Sequence, residues 1–225
     1  MKQVLQNLRT GQTTVADVPA PTPGRAGLLV RTRTSLISAG TERMLVEFGQ
    51  ASLLGKARAQ PDKVRQVLDK IRTDGLLPTL DAVFSRLDEP LPLGYCNVGT
   101  VLEVGAEVRD LVPGDRVVSN GPHAELVAVP ALLCARVPET VTDEQATFAV
   151  LASIGLQGIR LAEPTFGETV AVIGMGLIGL VTAQLLLASG CRVLATDVNG
   201  DRLALAAACG CHAVDVGAGG DPVAA

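Results

Sequence analysis

The sequence predicts an α/β-plus-β chain: a β-rich domain with a helical insert, then a partial doubly wound parallel sheet. Three observations predict it. Residues 1–44 and 93–137 are rich in β-branched and apolar positions punctuated by Pro and Gly turns. Between them, apolar residues recur at helical spacing. From Thr169 onward, short apolar strand-like runs alternate with Ala/Leu-rich helix-like runs, the order of a βαβ fold. The expected domains are residues 1–150, with the insert at about 45–90, and residues 151–225.

Residues 1–44 read as short strands and turns. Pro19, Pro21, Pro23 and Gly24 break the chain before an apolar, β-branched strand at 28–36. In 62–71, Val64, Val67, Leu68 and Ile71 share a helical face, and in 78–87 so do Leu80, Val83, Phe84 and Leu87. Two amphipathic helices follow from that spacing. Strands resume at 98–104, 116–118 and 124–129. Val112-Pro113-Gly114-Asp115 fits a type II turn, with Pro and Gly at its central positions. Thr142 or Asp143 can cap a helix running through 147–151, and the acids Asp143 and Glu144 favour its N-terminus. A second helical piece, 156–161, stops before Pro164. Strands at 169–173, 192–197 and 212–216, with helices between them, give β-α-β-α-β, half of a doubly wound nucleotide fold. The first of these strands would have one unpaired edge. The 225 residues by themselves are therefore expected to self-associate and to lack turnover.

The glycine pattern carries the most chemistry. Val172-Ile173-Gly174-Met175-Gly176-Leu177-Ile178-Gly179 follows a strand-like run and opens an apolar helix-like one. Gly174 permits a sharp turn, Gly176 lets backbone N–H groups approach a pyrophosphate, and Gly179 lets the helix pack closely on the sheet. The helix's positive dipole end then faces the phosphates. Asp197 ends the next strand-like run, about 20 residues past the motif, where an acid accepts hydrogen bonds from an adenosine ribose. The candidate cofactor-binding residues are Gly174, Met175, Gly176, Leu177, Ile178, Gly179, Asp197 and Arg202. NAD is expected over NADP because Asp197 repels a 2′-phosphate, although Arg202 lies near enough to blur the choice. A membrane span over the same stretch is the competing reading. Three glycines, Thr182 and Gln184 interrupt it, and no basic or aromatic flanks accompany it.

Composition excludes several classes. Hydrophobic residues at 48% exclude a disordered or fibrous chain. A net charge of −4 without a basic stripe argues against nucleic acid as a partner. One Tyr, four Phe and no Trp leave no stacking platform for single strands. The opening residues hold no apolar block like that of a signal peptide, so a cytoplasmic location is expected. Five cysteines without a repeating frame suit reduced thiols. The one close pair, Cys209-Gly210-Cys211, reads as buried small hydrophobes.

The order of parts resembles the medium-chain dehydrogenase/reductase superfamily, the alcohol dehydrogenase-like enzymes. The resemblance rests on Ile37-Ser38-Ala39-Gly40-Thr41-Glu42, Pro92-Leu93-Gly94-Tyr95-Cys96-Asn97-Val98-Gly99 and Val101-Leu102-Glu103-Val104-Gly105. Pro113-Gly114-Asp115-Arg116-Val117, Ala124-Glu125-Leu126-Val127 and the glycine motif continue it. It implies a GroES-like β-barrel catalytic domain followed by a Rossmann domain, here truncated, with substrate in the cleft between them. The helical insert and the Ser-Ala-Gly-Thr-Glu variant resemble more narrowly a bacterial bi-domain oxidoreductase group. There an alcohol dehydrogenase-like half precedes a glucose–fructose oxidoreductase-like half, often in cell-surface polysaccharide synthesis.

The departures from that family bear on mechanism. Zinc-dependent relatives supply a Cys before Gly-Thr-Asp, a His in Gly-His-Glu and a later Cys; the resemblance puts Ala39, Tyr95 and Ser153 at those positions. None is a good zinc ligand, and the four-Cys lobe of a structural zinc is absent. Cys96 and Glu42 stand nearby, but two groups do not close a site. No metal is expected. Tyr95 then becomes the candidate donor to the substrate oxygen, with a packing tyrosine as the competing reading. Thr41 would position substrate or nicotinamide, or merely close a turn. Cys96 reads as structural, and His123 and His212, each alone, as surface or satisfied histidines.

The implied function is a zinc-independent NAD(P)-dependent oxidoreductase acting between nicotinamide and a small-molecule alcohol or carbonyl, such as a sugar or sugar nucleotide. At full length a homo-oligomer is expected. The alternative is a non-catalytic nucleotide-binding or assembly module.

Overall fold

The computed structural model describes residues 1–217 and 219, without the side chains of residues 53, 54, 68, 71, 72, 74, 76, 77, 80 and 81. It divides into two units, Met1–Thr147 and Phe148–Ala225.

In the first unit, β1 (Lys2–Gln6), β2 (Thr13–Asp17) and the two-residue β4 (Leu91–Pro92) form an antiparallel sheet in the order β2-β1-β4. The larger sheet joins β3 (Gly27–Ser35), β5 (Asn97–Val104), β6 (Arg116–Ser119), β7 (Leu126–Pro130) and β8 (Cys134–Arg136) in the order β7-β3-β5-β6-β8. A single bridge, Gln3 to Ala124, touches the first sheet to the loop before β7. Alternate residues of these strands make the core: Leu28, Val30, Val101, Val117, Val127 and Val129. Each such side chain contributes about 1.5–3 kcal/mol by burial.

The register of β3 against β5 slips between Thr32 and Thr34, leaving Arg33 outside the ladder. Gly99 permits the close approach there, since a Cβ would stand 2.2 Å from the Arg31 carbonyl oxygen. Freed from pairing, Arg33 bonds Asp143 at 2.6 Å. The turn at Val112–Asp115 has the expected type II character: Gly114 is at φ 94° and the Asp115 amide donates to the Val112 carbonyl. Strand β8, unmarked by the sequence reading, follows a 3₁₀ turn at Ala131–Leu133.

The insert differs from expectation. It begins at residue 39 and holds four helices: α1 (Ala39–Gln50), α2 (Leu53–Ala59), α3 (Pro61–Asp74) and α4 (Leu76–Asp88). The first part of α1, residues 39–44, falls where strands and turns were expected, and the rest lies in the expected insert. Gly40 and Thr41 weaken helical propensity in its first turn, and the Ser38 side chain makes no capping bond. Glu42 supplies the closure instead, its carboxylate reaching back to the Ser38 amide at 2.8 Å. Helix α2 starts at Ser52, whose hydroxyl accepts from the Gly55 amide. In α3 and α4, Val64, Val67, Val83, Phe84 and Leu87 are half-buried. The Leu68, Ile71 and Leu80 side chains lie outside the described residues.

Thr142 caps the short α5 (Asp143–Ala146) in a capping box with Gln145. The helix expected to run from that cap through 151 breaks after Ala146, and its end joins the piece expected at 156–161 in one helix, α6 (Ala149–Ala162). Ser153 does not interrupt it because its hydroxyl donates back to the Val150 carbonyl. Gly155 does not either, because its missing side chain makes room for Thr182 of α7 (Leu177–Ala188).

The second unit carries three parallel strands, β9 (Thr169–Ile173), β10 (Arg192–Asp197) and β11 (His212–Asp215), in the order β11-β10-β9. Helix α8 (Gly200–Ala208) connects the last two. Met175, Ala183, Leu186, Val193, Ala195, Leu203 and Ala206 form its core. Among the described residues β9 is paired on one side only, by β10, and Ile173 at its end is 88% exposed. No helix among the described residues is long and apolar enough to cross a membrane.

Candidate functional site

The two groups of candidate residues lie in different units. In the second, β9 ends at Ile173 and the chain turns at Gly174, whose φ of 90° is open to glycine without strain. Gly176 then precedes α7 as its N-cap. A Cβ on Gly179 would lie 1.9 Å from the Gly174 carbonyl oxygen, so only glycine lets α7 start this close to the strand. At Gly176, by contrast, a Cβ would meet nothing within 4 Å. The turn is therefore tight below and open above, at the end of the helix where the first N–H groups have no intrahelical acceptor. Leu177 and Ile178, the first helical residues, are half-buried and 42% exposed, respectively.

Asp197 ends β10 directly beneath this turn and is 7% exposed. Its Oδ2 accepts from the Met175 amide at 2.6 Å and its Oδ1 from the Asn199 amide at 2.9 Å. Arg202 Nη1 stands 3.7 Å from Oδ2. These backbone bonds, the Met175 amide first, hold the carboxyl below its ordinary range, so it is ionised at neutral pH. The sequence reading gave Asp197 to the ribose alone; the structure makes it a brace for the glycine turn as well. Each oxygen keeps a further lone pair for a ligand hydroxyl. Met175 is buried in the core, and its amide already has a partner.

The first unit holds a polar cluster around Tyr95. Tyr95 is half-buried after Gly94, and its hydroxyl donates to Ser38 Oγ at 2.6 Å and lies 3.3 Å from Thr41 Oγ1. The structure thus brings Tyr95 and Thr41 together. Behind them, Glu42 Oε2 lies 2.9 Å from His123 Nε2, and His123 Nδ1 lies 2.8 Å from Ser35 Oγ. The Glu42 and His123 side chains are 8% and 11% exposed. His123 is satisfied, as expected, but it belongs to this cluster. Ser35, Ser38 and His123 escaped the sequence reading because no spacing links residues that converge from distant segments. The other histidine, His212, is exposed.

This cluster does not fit a catalytic zinc. Both Glu42 oxygens are engaged, by Ser38 and His123, and both His123 nitrogens have partners. Burial, followed by the adjacent Glu42 carboxylate, pushes the Cys96 thiol up to about 11. Among the described residues, no three His, Cys, Asp or Glu side chains are grouped to hold a metal ion. All five cysteines are free. Cys211 is buried as expected, but Cys209 is exposed, because it caps the solvent end of α8.

No protein-family model matches the chain. Sorbitol dehydrogenase of Arabidopsis thaliana is 33% identical over 150 residues, which cover 52% of this chain and 41% of that protein. L-threonine 3-dehydrogenase of Legionella pneumophila (strain Corby) is 30% identical over 182 residues, 64% of this chain and 53% of its own length. Among solved structures, a candidate zinc-binding dehydrogenase from Sinorhizobium meliloti 1021, bound to NADP, superposes with a TM-score of 0.70. It is 25% identical, and the match covers 96% of this chain and 62% of that one. The chain thus spans about half the length of the curated relatives it matches. These similarities support the medium-chain dehydrogenase/reductase superfamily of alcohol dehydrogenase-like proteins, and the chain has a GroES-like unit followed by Rossmann-type βαβ structure.

Proposed function

We propose that this chain is part of an oxidoreductase that binds NAD and interconverts an alcohol and a carbonyl compound without zinc. The observation that carries the reading is the glycine turn over Asp197, open at Gly176 and closed at Gly179. Gly174, Gly176 and the start of α7 would hold the pyrophosphate, and Asp197 the adenosine ribose. A bound nicotinamide would supply the hydride donor or acceptor. Tyr95 would give a proton to the substrate oxygen, or take one from it, and Thr41 would orient that oxygen. The polyol names of the relatives, together with the motif variant shared with the bi-domain group, support a sugar or sugar-nucleotide alcohol as substrate.

Fluorescence titration should show NADH binding more tightly than NADPH, and Asp197→Ala should weaken NADH and narrow the difference. Equal affinity of the unmutated protein for both would remove NAD from the reading. Arg202 beside the carboxylate is the residue that could produce that result. Elemental analysis of protein purified without added metal should find no stoichiometric zinc. About one zinc per chain, lost on Cys96→Ala, would overturn the zinc-free site.

A chain of residues 1–225 made alone is proposed to self-associate and to lack turnover, which the one-sided pairing of β9 and the exposed Ile173 support. Light scattering and an absorbance assay over sugar-like alcohols test it; a monodisperse, active chain would refute it. The second reading, a nucleotide-binding module, draws on Ala39 and Tyr95 standing at metal-ligand positions. NADH binding without turnover in a full-length protein would favour it.

A further inference from the structure

We propose that the buried Glu42–His123 pair is the positioning device of the Tyr95 site, a role that rests on Tyr95 being the proton donor. The pair joins segments far apart in sequence. Glu42 lies in the first turn of α1 and ties Ser38 to itself through Oε1 at 2.8 Å. Its other oxygen meets His123 Nε2 at 2.9 Å, and the far side of the ring meets Ser35 at the end of β3 at 2.8 Å. The ring also lies against the turn that carries Tyr95: a Cβ on Gly94 would stand 2.7 Å from two of its atoms. The His123 amide donates to the Leu93 carbonyl at 2.8 Å, so the backbone clasps the same turn. One imidazole therefore holds together the end of β3, the start of α1 and the Gly94–Tyr95 turn.

The groups set by this bracing are the ones that touch the phenol. Ser38 Oγ and Thr41 Oγ1, the partners of the Tyr95 hydroxyl, sit in the turn of α1 that Glu42 closes. Removing the ring would leave a buried carboxylate oxygen without its partner, a costly state that the first turn of α1 would relieve by moving. Ser38 and Thr41 would move with it. The pair touches no reacting atom in this scheme; it acts through Tyr95.

The test uses amide mimics of each end of the ring. Glutamine at 123 can place an N–H where Nε2 meets Glu42, whereas asparagine can reach only the Ser35 side. Tyr95 is the one tyrosine among these 225 residues, which hold no tryptophan, so tyrosine fluorescence of residues 1–225 reports this site alone. His123→Ala and His123→Asn should lose the shielding of that fluorescence from acrylamide, and His123→Gln should recover much of it. In a full-length enzyme the first two should lower kcat by roughly 10- to 100-fold at unchanged KM for NADH, with partial rescue in His123→Gln. If His123→Ala fails to fold, Glu42→Gln provides the second arm and should expose Tyr95 in the same way. Equal shielding in all variants, or glutamine and asparagine behaving alike, would overturn the proposal. The fluorescence pattern needs no turnover. Its persistence in a protein without dehydrogenase activity would leave the positioning intact and sink the oxidoreductase reading.

Discussion

Gly179→Val is expected to weaken dinucleotide binding by about 100-fold or more. The clash is with backbone: the added Cβ would sit 1.9 Å from the Gly174 carbonyl oxygen, and no rotamer can relieve that. Helix α7 would have to lift from the end of β9, which costs about 3 kcal/mol or more. If that cost falls on the binding-competent geometry, NADH affinity drops by about 100-fold or beyond. Gly176→Ala is the matched control. Its Cβ has open space and its φ is −71°, so the fold should tolerate it. Its methyl group would nevertheless stand where a pyrophosphate approaches, so it should weaken NADH at unchanged thermal stability. Calorimetric unfolding and NADH titration of the two variants separate the cases. Undiminished NADH affinity in Gly179→Val would show that α7 does not start where the cofactor binds.

The second large effect is expected from Tyr95→Phe. Loss of a positioned proton donor lowers turnover by roughly 10²- to 10⁴-fold. KM for NADH should stay unchanged, since the residues proposed to hold the cofactor lie in the other unit. Stability should fall by only about 1 kcal/mol, because the lost bond to Ser38 has the alternative of rearranged hydroxyls in a half-buried site. Steady-state kinetics of the variant and the parent, in a full-length enzyme, decide it. Turnover unaltered by the phenylalanine would make Tyr95 a wall of the pocket and no more.

What was legible in the sequence was what is local along it. The glycine turn and Asp197 lie within one βαβ unit, so spacing alone assigned them, and the Val112–Asp115 turn was fixed by two residues. The Tyr95 cluster is the opposite case. His123 and Glu42 are brought together only by the sheet and the insert, and neither has a neighbour in sequence that marks it. Along the sequence His123 stands isolated, and Glu42 stands with Cys96 as a possible metal ligand. Helix α1 was hidden for a related reason. Its closure comes from Glu42 acting back on Ser38 rather than from the Ser38 side chain, while Gly40 and Thr41 speak against a helix. Within helix α6, Ser153 and Gly155 are accommodated by contacts that the sequence does not display, with the Val150 carbonyl and with Thr182.

The exposure of Cys209 has a practical side. The other thiols are buried or, in Cys134, half-buried and pushed up to about 11 by that burial, so a maleimide at neutral pH should find Cys209 first. That thiol closes one end of α8, and Asp197 and Asn199 lie at the other. Nine helical residues separate the ends by roughly 13 Å. A dye placed there would sit close enough to sense the arrival of a nucleotide, yet clear of the atoms proposed to hold it. The molecule thus offers a ready attachment point for following ligand occupancy by energy transfer from reduced nicotinamide, with no engineered cysteine.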